Sequence, residues 1–316
     1  MEMRKYILKR LFALIPVLLG ITFITFGLGR LAPGDPAEEA LMRMGIDVPS
    51  AQQIQEMQKE LGLDKPLLIQ YKQWLKSTLK GDLGVSYMTK TDIKEEMLKR
   101  IPITFKVSLL ALALTLTLGV GLGVIMASYK ETLLDKVLRL ICVALLSIPG
   151  FGLAIIMIVV FSEKLRWLPT SGNGGFKYMI MPAFVLASST IGTVARLTRA
   201  SLIREMNEPY IVTAQSKGLA HRLIILRHAL INSLVSIITL IGNYFGGILG
   251  GSAIVETIFS IPGIGSYVLS AINSRDYAII QGYVLYTGCI YVLITLAIDI
   301  SYIMINPQIR LKGAHQ

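Results

Sequence analysis

The chain has 316 residues, of which 53% are hydrophobic and only 16% charged, and its mean hydropathy is +0.61. Soluble domains carry about 25% charged residues, so a soluble fold of this size is excluded and lipid is the solvent for most of the chain. The net charge of +11 fits cytoplasmic loop bias and anionic lipid rather than nucleic acid, because the basic residues alternate with lipid-length apolar windows.

Six windows lack Asp, Glu, Lys and Arg: 11–29, 107–128, 140–162, 178–195, 228–255 and 277–298. A helix rises 1.5 Å per residue, so about 20 residues cross a ~30 Å hydrocarbon layer. Six transmembrane helices are expected. The first lies in residues 1–29, where a basic start precedes an apolar run too long for a signal peptide, with no A-x-A site after it. The window 228–255 exceeds one crossing, so its first turns belong to the amphipathic stretch before it.

Residues 30–106 read as an extracytoplasmic helical segment. Ser50 with Gln53 three residues on is a capping-box pattern. Pro66 falls at a first helical position. Leu67, Tyr71, Trp74 and Leu75 then share one helical face. A cap on the bilayer rim and a docking surface for an outer partner both fit. Residues 107–306 form a five-helix core with a cytoplasmic loop at 204–231, and 307–316 form a cytoplasmic tail.

Lys/Arg bias in short loops orients the chain. Fifteen basic residues lie on one side: Arg4, Lys5, Lys9, Arg10, Lys130, Lys136, Arg139, Arg196, Arg199, Arg204, Lys217, Arg222, Arg227, Arg310 and Lys312. Four lie in the opposite short loops: Lys164, Arg166, Lys177 and Arg275. Both termini are therefore expected in the cytoplasm.

No G-x-x-x-x-G-K-[ST] phosphate loop, H-E-x-x-H or nucleophile elbow occurs, so no ATPase or other enzyme is expected in this chain. The windows hold no ionisable Asp, Glu, Lys or Arg, which weakens a proton- or sodium-driven transporter. A channel or secondary transporter is the rival class. Cys142 and Cys289 show no metal or redox spacing and read as small hydrophobes. Glycine is plentiful instead. Gly119, Gly121 and Gly123 cluster in one window, and Gly246 and Gly250 stand at small-xxx-small spacing, which favours close helix contact in lipid.

The stretch EPYIVTAQSKGLAHRLIILRHALI, residues 208–231, is polar and helix-friendly, and it hinges at Gly218. Tyr210, Ile211 and Ala214 share a face before the glycine. After it, Leu219, Leu223, Leu226 and Leu230 form one stripe. A plain interfacial helix pair and a pair gripped by a partner groove fit equally.

The wording of this stretch resembles the EAA loop of bacterial ABC-importer permeases in the peptide/nickel branch. The resemblance runs almost end to end, through RLAPGDPAEEAL, ELGLDKPLLIQYKQWL, GDLGVSY, LPTSG, ARLTRASL, VETIFSIPGIGSYVLSAINSRDYAIIQG and NPQIR. Two positions depart from the general pattern: Val212 stands where it has Glu, and Ile231 where it has Pro. The resemblance implies an all-α, six-helix type I ABC importer permease. It implies pairing with a second, homologous permease subunit, two ATP-binding subunits and an extracytoplasmic substrate-binding protein. ATP and Mg would sit on the ATP-binding subunits, with no cofactor in this chain. Glu208, Tyr210, Thr213, Ala214, Lys217, Gly218, Leu219, Arg222, Arg227 and His228 would form the ATPase-coupling surface.

The branch handles peptides, nickel and metal chelates. The short outer loop 163–177 and the wording of GDPAEEALMRMGIDVPSAQQIQEM lean toward nickel. The three histidines, His221, His228 and His315, all fall on the cytoplasmic side, and the outer face offers only carboxylates such as Asp35, Asp82, Glu256 and Asp276. Nickel and peptide cargo stay open, and no substrate-path residue is assigned.

Overall fold

The computed structural model describes residues 12, 15–27 and 35–305. The basic N-terminal cluster and the tail from residue 306 lie outside the described residues. Along the chain run α1 (Ile15–Gly27), α2 (Pro36–Arg43), α3 (Ala51–Glu60), α4 (Leu67–Leu79) and α5 (Ile93–Leu114). A π-wound turn (Thr115–Val120) joins α5 to α6 (Gly121–Ser128). Then come α7 (Leu133–Ser147), α8 (Gly150–Met157) with a π-wound end (Ile158–Lys164), and α9 (Phe176–Glu205). The loop helices are α10 (Pro209–Ser216) and α11 (His221–Leu223), followed by a π-wound stretch (Ile224–Ala229). The remaining helices are α12 (Leu230–Gly251), α13 (Ala253–Ile258), α14 (Ile264–Asn273) and α15 (Tyr277–Ile305). The described residues contain no strand, only an isolated bridge between Val85 and Asp92. The described residues are all-α, as the family resemblance implies.

Three helices are long and apolar enough to cross a bilayer: Ile93–Ser128, Phe176–Glu205 and Tyr277–Ser301. Two bent pairs, Leu133–Ser147 with Gly150–Lys164 and His221–Leu234 with Ser236–Leu249, raise the number to as many as five. Helix α1 is shorter. The window 140–162 is therefore not one straight helix. Pro149 pushes Ile148 out of helical geometry to φ −78°, ψ 120°, which ends α7, and α8 leaves at 103°.

The chain forms two compact units. One comprises Met1–Thr104 and Pro262–Val292. Within it the expected capping box is present: Ser50 N donates to Gln53 Oε1 at 2.8 Å, and Gln53 N donates to Ser50 Oγ at 3.3 Å. Pro66 is the N-cap of α4, one position before the expected site. Tyr71 is buried, Trp74 and Leu75 are half-buried, and Leu67 is exposed. The Tyr71 ring packs edge-on against Phe23 and Phe26 of α1, and its hydroxyl lies 3.0 Å from Thr22 Oγ1. Ile93 and Met97 pack against Ile264, Ala271, Ala278 and Ile279. Helix α14 has no side-chain cap of its own, but Ile264 N donates to Thr104 Oγ1 at 2.9 Å, satisfying one orphan donor.

The other unit comprises Phe105–Ile261 and Leu293–Gln316. Helix α9 is its axis, with α6, α7, α8 and α12 packed around it. Small residues allow the approach. A Cβ on Gly119 would stand 2.9 Å from Val194 Cγ1; one on Gly123 would overlap the Thr198 side chain and stand 2.7 Å from Ala195 O. Gly192 of α9 likewise abuts Cys142 O of α7. Gly246 is buried in α12, and the surroundings of Gly250 lie outside the described residues.

Candidate functional site

Loop 204–231 is built as two short helices around a fixed corner. Glu208 is the N-cap of α10 and Pro209 its first residue, where a missing N–H costs nothing. Helix α10 ends in a Schellman motif. Gly218 N donates to Gln215 O at 2.9 Å, and Leu219 N donates to Ala214 O at 3.4 Å. Gly218 takes φ +74°, the left-handed region this motif needs. The accompanying apolar contact is also present, because Ala214 and Leu219 belong to one core cluster.

That cluster fixes the inner face of the loop. Ile211, Ala214, Ile224, Ile225 and Ala229 pack with Leu202 of α9 and with Val124 and Ala127 of α6. The expected Tyr210–Ile211–Ala214 face is the one that turns inward. The expected leucine stripe does so only in part: Leu219 and Leu230 pack against the cluster and Leu223 is half-buried, but Leu226 is not. Ile224 and Ile225 are buried, whereas Leu226 is 53% exposed. Residues 224–229 are π-wound, so the wider i→i+5 winding turns two consecutive side chains inward and carries Leu226 to the surface.

Tyr210 is the polar pin. Its hydroxyl donates to Glu205 Oε2 at 2.8 Å and accepts from Asn232 Nδ2 at 3.0 Å. Burial pushes the Tyr210 phenol up; the Asn232 bond offsets part of this and the Glu205 carboxylate adds to it. The phenol therefore stays a donor. Glu205 and Asn232 were not singled out in the sequence, since nothing in local periodicity links them to Tyr210.

The outer face carries the rest of the proposed surface. Glu208, Thr213, Lys217, Gly218, Arg222 and Arg227 are exposed, with Val212, while His228 is half-buried. The structure thus divides the ten residues into an inward set (Tyr210, Ala214, Leu219), an outward set and His228 at the rim. A cavity of about 180 Å³, lined by residues including Lys130, Asn207, His221 and Ile225, opens beside it. Nothing in this set is a nucleophile–base pair. Among the described residues no group of three His, Cys, Asp or Glu side chains is placed to hold a metal ion. The carboxylates expected on the outer face are engaged within the chain: Asp35 caps α2, Asp82 accepts from Gly84 N, Glu256 from Ser252 Oγ, and Asp276 from Ser86 Oγ.

The described residues are helical and include helices long and apolar enough to cross a bilayer, the architecture of a membrane-embedded protein. Comparison with known families agrees. Residues 119–311 match the family described as binding-protein-dependent transport system inner membrane component, and residues 3–109 match the N-terminal family of such membrane components. The chain belongs to this family of ABC-transporter permease components, which work with an ATP-binding subunit and a substrate-binding protein. It is 36% identical to the glutathione transport system permease protein GsiC of Pectobacterium atrosepticum, over 98% of this chain and 100% of that one. It is 35% identical to a putative peptide transport system permease protein of Brucella abortus, over 98% and 99%. GsiC of Escherichia coli K12 is 34% identical over 98% and 100%. Among solved structures, a chain of the inward-facing MetNI methionine ABC transporter matches with TM-score 0.57 at 14% identity, covering 66% of this chain and 96% of that one. That likeness is one of fold.

Proposed function

We propose that this chain is one of two homologous permease subunits that together enclose the path of an ATP-driven importer for small peptides of glutathione size. An extracytoplasmic binding protein delivers the cargo. Two cytoplasmic ATP-binding subunits, which bind ATP and Mg, dock one on each 204–231 loop, and both termini lie on that side. The observation that carries the cargo class is end-to-end similarity to relatives named for glutathione or peptides. None of these three is named for nickel, and the short loop 163–177 alone does not outweigh them.

The loop geometry supports the coupling role. Its inner face is packed and pinned by Tyr210, so a displacement of the outer face reaches α6, α9 and α12 instead of being absorbed. Arg222 and Arg227 are exposed, so each ion pair with a partner would contribute only ~0–1 kcal/mol, and the apolar Val212 and Leu226 add contact area.

The test is reconstitution in proteoliposomes with the ATP-binding subunits, the second permease and the binding protein. Peptide-loaded binding protein should stimulate ATP hydrolysis and peptide uptake, while the chain alone turns over no ATP. Flux through vesicles holding only this chain would make it a channel or secondary transporter. Nickel uptake without peptide uptake would overturn the cargo class.

A further inference from the structure

Helix α9 buries most of its surface, and past its first residues, Phe176 and Lys177, the stripe it leaves open is polar. Ser189, Thr193, Arg196 and Ala200 recur at i, i+4, i+7 and i+11; Thr193 is half-buried and the other three are exposed. No large apolar side chain stands among them. Neighbouring helices do the opposite: α7 exposes Leu133, Leu140 and Val143, and α8 exposes Phe151, Ile155 and Ile156, which are side chains suited to lipid tails. Polar groups on a membrane helix face a bundle interior or a water-filled cavity. Ser189 and Thr193 lie inside the uncharged window 178–195, and Arg196 and Ala200 lie just past its expected cytoplasmic end, so the stripe runs from membrane depth to the water on that side.

At one end of the stripe a cavity of about 440 Å³ opens between α7 and α9, lined by Arg139, Thr193, Arg196, Leu197, Arg199 and Ala200. Three guanidinium groups meet two carboxylates there. Asp135 is fully buried and holds Arg199 with both oxygens at 2.8 Å. The same Asp135 is also the 3.5 Å partner of Arg139 Nε, which makes no hydrogen bond. Glu131 reaches Arg199 at 3.5 Å from a largely exposed position. Arg196 has no ion-pair or hydrogen-bond partner among the described residues. The cavity is therefore electropositive, with one arginine fixed and two holding unused donors.

We propose that this cavity is a carboxylate-binding station on the cargo path. Arg196 and Arg139 receive a free carboxylate of the peptide, and Asp135 positions Arg199 as the wall behind them. The inference rests on the peptide reading. Every unmodified peptide carries a terminal carboxylate, so two arginine forks recognise the class without reading its side chains.

The test uses the full transporter with Cys289→Ala, which removes the exposed native cysteine and leaves buried Cys142. Thr193→Cys, or Ala200→Cys if that variant assembles poorly, is labelled with sulfonate-bearing and ammonium-bearing thiol reagents. Clefts of one charge sign raise local counter-ion concentration, so the anionic reagent should react about 10-fold faster, and Arg196→Gln should abolish the preference. A peptide acid should slow labelling, and its C-terminal amide should not. No labelling by either reagent would show a face covered by lipid or protein and overturn the proposal. So would equal protection by acid and amide, or a preference that follows the anionic-lipid content of the bilayer instead of peptide. Complexes that move no peptide at all would sink the peptide reading itself; complexes that move peptide without acid-over-amide protection would sink the station alone.

Discussion

The hydroxyl of Tyr210 donates to Glu205 Oε2 at 2.8 Å, tying the first loop helix back to the end of α9. With the Asn232 bond it places one phenol between three helices. Tyr210→Phe keeps the ring and removes both bonds. A net loss of ~1 kcal/mol is expected, roughly 5-fold in the equilibrium that holds the loop in place. Membrane level should be unchanged while peptide-stimulated ATP hydrolysis by the assembled transporter falls several-fold. Hydrolysis equal to wild type would show that the pin carries no coupling.

Gly218 separates backbone strain from steric contact. A Cβ there would meet nothing within 4 Å, so substitution acts through φ +74° alone. Gly218→Val should cost ~1–2 kcal/mol, whereas Gly218→Asn, which tolerates the left-handed region, should cost less. The expected result is normal membrane insertion for both, with weakened co-purification of the ATP-binding subunits for Val only. Indistinguishable Val and Asn variants would remove the corner from the coupling argument.

Gly123 and Gly121 make a matched pair on α6. A Cβ on Gly123 runs into Thr198 and the Ala195 carbonyl, while one on Gly121 meets nothing within 4 Å. Gly123→Ala should destabilise by about 1–3 kcal/mol as overpacking, and Gly121→Ala should be neutral. Thermal unfolding of the detergent-solubilised transporter measures both. A destabilised Gly121→Ala beside a silent Gly123→Ala would contradict the α6–α9 packing.

What was readable in the sequence was local. The Ser50–Gln53 box and the Gly218 corner each lie within a few residues and follow from backbone geometry. Five of the six uncharged windows coincide with the three bilayer-length helices and the two bent pairs, and the first holds only the shorter α1, so a count of six is not reached. The count is also blind to Pro149, whose effect is on backbone torsion and not on hydropathy. The leucine stripe failed at Leu226 because periodicity assumes α winding, and the π-wound segment 224–229 breaks that assumption. Arg199 entered the sequence reading only as one cytoplasmic charge. Its partner Asp135 lies 64 residues away, a separation that no local pattern spans.

The Asp135–Arg199 pair is buried on the carboxylate side, so its two ends are not equivalent to surface charges. Asp135→Ala strands Arg199, whose side chain is only 16% exposed, and should cost ~3–5 kcal/mol. Arg199→Lys keeps the charge but loses the two-oxygen fork, so it should recover only part of the stability. Membrane abundance and thermal unfolding of the two variants provide the check. An Arg199→Lys protein as stable as wild type would mean that charge alone, not the fork, holds α7 against α9.

Orientation can be read directly with single cysteines. Ser50, Ser171 and Ser216 are all exposed on the chain surface, so a thiol at each is free to react wherever a reagent has access. Lys/Arg bias places Ser216 with the fifteen basic residues and the other two on the opposite side. In the Cys289→Ala background, a membrane-impermeant maleimide should label Ser50→Cys and Ser171→Cys in intact cells. Ser216→Cys should react only after the cells are opened. The loop can meet a cytoplasmic ATPase only if this order holds. Labelling of Ser216→Cys from outside would put the pinned helix pair on the wrong face of the membrane, and the coupling role proposed for residues 204–231 would fail with it.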